Sequence, residues 1–132
     1  MDSSIPEGGG VIWDAALVFL HFFAKPKHGF SDYLGPSHNI ESVVDLGAGT
    51  GVVGIAIAKK YAASRILMSE MSQGCRHIMR KSIEYNGVSD RVSECELWWG
   101  EMEAKKFKQE VLAGKSPDLI VGTDLIYSAK MF

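Results

Sequence analysis

Asp45-Leu46-Gly47-Ala48-Gly49-Thr50-Gly51 lies between a β-branched run, Ser42 to Leu46, and a small-residue stretch, Gly51 to Ala62. The run predicts a strand and the stretch a helix. Glycines between them let the backbone turn tightly and let a ligand approach the main chain. The helix start offers free N–H groups to such a ligand. A strand, a glycine loop and a helix in this order open a parallel α/β sheet.

The alternation continues downstream. Arg65 to Ser69 predicts a second strand. Ser72 to Tyr85 predicts a helix, closed by the C-cap signal Asn86-Gly87. Arg91 to Leu97 predicts a third strand. Glu101 to Ala113 predicts a helix with early acids; Met102, Phe107 and Val111 form its expected core stripe, and Lys105, Lys106 and Lys108 its exposed face. Asp118 to Gly122 predicts a fourth strand, apolar enough for burial on both faces. Connections of this length join parallel strands by right-handed crossovers. The expected fold is a doubly wound, Rossmann-like α/β sheet with helices on both faces, in one domain over residues 1–132.

Upstream, Ile12 to Phe23 is apolar nearly all round and predicts a largely buried helix. Lys25 to Ser42, with Pro26, Gly29, Gly35, Pro36 and Asn39, predicts a loop. Met1 to Gly10 reads as an extended lead-in. Only ten residues follow Gly122, so the fourth strand would leave an apolar edge open. The expectation is a chain that forms part of a larger domain.

Composition narrows the function. With 14 Lys+Arg against 16 Asp+Glu, the net charge is −2, which argues against a dedicated nucleic-acid binder. The longest apolar run, Val11 to Ala24, is short of the ~20 residues a bilayer span needs and is interrupted by Asp14 and His21. No basic segment precedes it, so it is not read as a secretory signal. Cys75 and Cys95 show no CxxC spacing and read as reduced thiols, placing the protein in the cytoplasm or the nucleus. His21, His28, His38 and His77 share no ligand spacing, so no metal is expected.

Two ligands compete for the glycine loop. Gly49 to Gly54 matches GxGxxG, and Glu70 lies about 20 residues on, as a ribose-binding acid should; this is the pattern of an NAD-dependent dehydrogenase. Asp45 opposes that reading. Its carboxylate would sit poorly beside a pyrophosphate and suits a ligand with positive charge and no phosphates. S-adenosylmethionine, with its ammonium and sulfonium, is such a ligand. Glu70 can accept from ribose hydroxyls in either case.

The loop resembles the first motif of the seven-strand S-adenosylmethionine-dependent methyltransferases. Gly10-Val-Ile-Trp13-Asp14, Leu97-Trp-Trp99-Gly100 and Thr123-Asp124-Leu-Ile-Tyr127 resemble their family 16 branch, which includes protein-lysine methyltransferases. The likeness runs from about Gly8 to Tyr127 and implies that some four of seven strands are present. It implies cofactor contacts at Trp13, Gly47, Ala48, Gly49, Glu70 and Trp99, with the adenine near Trp99. Asp45, read from its charge, joins this set. The resemblance places Asp124 and Tyr127 beside the methyl group and the acceptor. It implies a protein substrate bearing the target lysine; a relative that methylates a small amine and a catalytically incomplete cofactor-binding fragment are the alternatives. Two departures from the family pattern, Asp45 for Glu and Ser69-Glu70 for Thr-Asp, both keep the carboxylate. The sequence names neither the acceptor nor the oligomeric state.

Overall fold

A computed structural model describes residues 10–35 and 39–126. Four strands, β1 (Ser42–Leu46), β2 (Arg65–Ser69), β3 (Val92–Cys95) and β4 (Leu119–Gly122), form one parallel sheet in the order β3-β2-β1-β4. Asp45 stands opposite Met68 of β2 and Val121 of β4, and Leu46 opposite Ser69 and Gly122. The chain first steps outward from β1 to β2 and β3, then returns to the other side of β1. The direction therefore reverses between β1 and β4, and ligands bind at the carboxyl ends of strands beside such a switch point.

The packed face belongs to three of the helices. α1 (Asp14–Ala24), α3 (Val52–Lys60) and α4 (Gln73–Tyr85) contribute Phe23, Ile57, Ala58, Met79 and Ile83 to a core shared with Val43, Ile66, Met68 and Val121 of the sheet. Burying each large aliphatic side chain stabilises the fold by roughly 1.5–3 kcal/mol. α3 forms from small and branched residues and ends with Lys59 and Lys60, whose charges suit the helix dipole. The Lys60 Nζ donates to the Phe23 carbonyl at 2.7 Å and lies 4.5 Å from that ring's centre, which ties α3 to α1. In α4 the Ser72 Oγ accepts from the Cys75 amide at 3.3 Å, and Cys75, Met79 and Ile83 fall four residues apart on the buried side.

Several expectations need correction. The predicted loop from Lys25 to Ser42 contains a short helix, α2 (Phe30–Leu34). Phe30 is buried there against the rings of Phe19, Phe22 and Phe23. Its aromatic contacts outweigh the turn-forming residues around it. α1 is not largely buried: Ala16 and Phe23 are, whereas Leu17 and Val18 face outward.

The largest departure is α5 (Glu101–Glu110), which buries none of its residues. Met102 and Val111 are exposed and Phe107 is only half-buried, so the expected core stripe does not form. α5 stands over the second sheet face, and a groove of about 420 Å³ remains between Ala104 and Phe107 on one side and Val44, Leu46 and Ile120 on the other. β4 is an edge strand among the described residues, with Ile120 58% exposed, rather than a strand buried on both faces. Its start is fastened by Asp118. That carboxylate accepts from the amides of Glu41 (3.0 Å) and Ser42 (2.8 Å) and from the Ser42 Oγ (3.0 Å). These bonds, first of all those from Ser42, hold the Asp118 carboxyl below its ordinary range.

Candidate functional site

The chain leaves β1 through three glycines with left-handed backbone: Gly47 (φ 58°), Gly49 (φ 56°) and Gly51 (φ 80°). Residues with a Cβ rarely adopt these angles, which accounts for the spacing of the motif. The loop is fastened internally by the Gly51 amide to the Ala48 carbonyl at 2.8 Å. It is fastened to β2 by the Ala48 amide to the Ser69 carbonyl at 3.0 Å.

Glu70 follows β2 directly and faces this loop. Its Oε2 accepts from the Gly49 amide at 3.2 Å and its Oε1 from the Ser72 amide at 3.1 Å. One carboxylate thus joins the glycine loop to the start of α4. Each oxygen keeps a further lone pair, so Glu70 can still accept from two neighbouring hydroxyls.

Asp45 is placed differently. It is 2% exposed and lies beneath the loop, where its Oδ2 accepts from the Gly54 amide in the first turn of α3 at 2.9 Å. Burial pushes its carboxyl up to about 7, partly offset by the Gly54 hydrogen bond. Gly54 is required by packing. A Cβ there would lie 2.6 Å from the Met68 Sδ and 3.2 Å from the Asp45 Oδ2. The last glycine of GxGxxG therefore serves close helix–sheet packing.

Trp99 comes to the loop from the other wall. A Cβ on Gly47 would lie 3.4 Å from the Trp99 Cζ2 and 2.9 Å from the Leu125 Cδ2. The cradle at Gly47 is thus bounded by an indole and a leucine. β3 ends at Cys95, short of Trp98 and Trp99, and both indoles line the groove under α5. Glu96 steadies this segment by accepting from the Trp98 Nε1 at 2.7 Å and from the Arg76 Nη2 of α4 at 2.8 Å.

Asp124 lies two residues past β4, exposed, with φ 59°. The register of Leu46 with Gly122 brings this turn alongside Gly47. Gly47, Ala48, Gly49, Glu70 and Trp99 are therefore gathered at one sheet edge, with Asp124 following the adjacent strand. Trp13 precedes α1 as its N-cap residue and is half-exposed. Tyr127 lies outside the described residues.

Sequence reasoning passed over Leu125. Its Cδ1 would be 2.5 Å from a Cβ on Gly122. The small residue ending β4 is the signal that a side chain folds back there. Among the described residues no cluster of His, Cys, Asp and Glu is arranged to hold a metal ion. No helix among them is long and apolar enough to cross a membrane.

A parallel sheet of this order, with a glycine loop and a strand-end acid at its switch point, is the architecture of the Rossmann-like methyltransferases. The S-adenosylmethionine-dependent methyltransferase SibL, solved in its apo form, superposes with a TM-score of 0.56 at 18% identity, over 89% of this chain and 29% of its own; the likeness is one of fold. The sequence goes further. The family model described as lysine methyltransferase, family 16, matches residues 2–132, and the chain belongs to that family. The EEF1A lysine methyltransferase 3 of Xenopus tropicalis is 28% identical over 117 residues, 88% of this chain and 44% of that protein. The protein-lysine N-methyltransferase EFM6 of Saccharomyces cerevisiae is 23% identical over 133 residues, 94% of this chain and 54% of that protein. The chain thus spans about half the length of these two curated relatives.

Proposed function

We propose that this chain forms the S-adenosylmethionine-binding part of an enzyme that methylates a lysine side chain of a protein. The observation that carries the reading is Glu70, a carboxylate locked by the Gly49 and Ser72 amides beside an open glycine cradle. It suits the two hydroxyls of a ribose. Gly47, Ala48 and Gly49 would let the adenosyl and methionyl parts approach the backbone. Trp99 would lie against the adenine, and Trp13 would cover the cofactor from the start of α1. Membership of the lysine methyltransferase family favours this cofactor over a dinucleotide.

S-adenosylmethionine, when bound, supplies an electrophilic methyl group on a sulfonium. The chain's own task is to bring a nitrogen lone pair into line with it. A lysine arrives as an ammonium and must shed its proton before it can attack. Asp124 and Tyr127 would receive that ammonium and hold the nitrogen in line as its proton passes to water. With the cofactor held by Gly47, Ala48, Gly49 and Glu70, its methyl group would pass to that nitrogen and leave a neutral thioether. The two free thiols, Cys75 and Cys95, are in keeping with a cytoplasmic enzyme.

Calorimetric titration with S-adenosylhomocysteine, with NAD as control, tests the cofactor. The expected outcome is binding of the former alone; binding of NAD instead would overturn the reading. Transfer of labelled methyl groups to lysine residues of a protein extract tests the acceptor. Cofactor binding without any transfer would leave a binding fragment in place of an enzyme.

A further inference from the structure

Asp45 raises a question that a contact with the cofactor does not answer. A carboxylate meant for a cationic ligand should reach the cleft, yet this one is sealed beneath the glycine loop with its Oδ2 on the Gly54 amide. α3 begins at Val52 behind Gly51, which has no side chain to accept from the first-turn amides. The missing cap comes from β1 instead. An ordinary cap residue touches only its own helix. Here the cap bond runs from strand end to helix start and spans the whole turn from Gly47 to Gly51.

We propose that Asp45 is a positioning residue: its buried carboxylate pins the first turn of α3 to β1 and so holds the intervening glycine backbone in the shape that receives the adenosyl group. The proposal rests on the reading of the cleft as an S-adenosylmethionine site. The side chains opposite Asp45 are Met68 of β2 and Val121 of β4, neither ionisable. Charged groups on the surrounding elements are engaged elsewhere or lie outside this pocket. Glu70 bonds Gly49 and Ser72, Arg76 and Arg80 of α4 pair with Glu94, and Lys60 bonds the Phe23 carbonyl. Asp14 at the start of α1, Lys59 at the far end of α3 and Asp124 after β4 are exposed. The ionisation of Asp45 is thus read through one bond, to Gly54.

That bond gives the test its form. A hydrogen bond to a carboxylate is about twice as strong as one to a neutral acceptor, but here burying the charge costs more than the bond returns, which is why the carboxyl is raised. Burial places the change between the charged and neutral forms near pH 7. Below it the cap is a neutral acceptor and the closed loop is favoured; above it the buried charge favours opening the loop to water. Affinity for S-adenosylhomocysteine should therefore fall about fivefold between about pH 6 and about pH 8.5. The uncharged nucleoside 5′-methylthioadenosine should show the same fall, because the effect passes through the loop and not through the ligand's charge. Asp45→Asn keeps an acceptor for Gly54 and cannot ionise. It should bind both ligands with a flat profile, near the wild-type affinity at low pH. Asp45→Ala, which removes the acceptor, should bind about fivefold more weakly than Asp45→Asn.

A pH response for S-adenosylhomocysteine but not for methylthioadenosine would overturn the proposal and make Asp45 a direct partner of the cofactor's charge. So would a response that survives in Asp45→Asn, or a flat wild-type profile with binding intact. Absence of binding by both ligands, in a chain shown to be folded by circular dichroism, would overturn the cofactor reading itself and the proposal with it.

Discussion

The two flanks of β1 are built to different standards. On the β2 side, Ile57, Met68 and Met79 have no exposed surface, and α3 approaches so closely that only glycine fits at position 54. On the β4 side, Ile120 is 58% exposed and α5 buries nothing. The first flank carries Asp45 and Glu70, which shape the floor of the cleft. On the second, Leu125 meets Trp99 across Gly47, and the two bound the far side of the cradle. The floor is rigid because its neighbours leave no alternative arrangement. The far side rests on a few local fastenings, among them Asp118 on Ser42 and Glu96 on Trp98. Local opening free energies track such differences in packing.

This contrast can be broken by substitution. Ile57→Ala, at 0% exposure, should lower stability by about 4 kcal/mol in urea unfolding, through lost burial and the cavity left behind. Gly54→Ala should cost about 2 kcal/mol by the same measurement, since Met68 is fully enclosed and has no room to yield. It should also weaken S-adenosylhomocysteine binding by disturbing the Asp45 bond. Met102→Ala removes a side chain of similar size from α5, but at 76% exposure it should change stability by less than about 0.5 kcal/mol. An equal loss at Met102 and Ile57 would remove the distinction between the flanks.

The tight flank was also the more legible one. Ser42–Leu46 and Arg65–Ser69 are strands over the residues their β-branched pattern predicts. α4 begins one residue after the predicted start and ends at Tyr85, because the Ser72 cap and the Asn86-Gly87 stop are local chemistry. Gly47, Ala48, Gly49, Glu70 and Trp99 gather at one sheet edge, since the topology brings strand ends together. Three readings failed for a common reason. α2 is fastened by rings from α1, Leu17 and Val18 of α1 lack a covering element among the described residues, and the apolar positions of α5 find no surface to meet. Each depends on what lies opposite in space, which periodicity along one segment does not report. Asp45 was recognised as special from its charge next to glycines. Its direction, under the loop, follows from strand alternation combined with the position of α3, and only the first of these is written in the sequence.

The alternating left-handed glycines have a consequence at the level of the gene. Every residue one base change from a glycine codon carries a Cβ, namely Ala, Val, Ser, Cys, Asp, Glu, Arg or Trp. Asparagine, which tolerates left-handed backbone well, is not among them. At positions 47, 49 and 51 a single amino-acid-changing base substitution therefore has only aspartate as a conformationally mild outcome. At these three positions nearly every single-base amino-acid change therefore strains the backbone, a constraint that the exposed face of α5 does not carry.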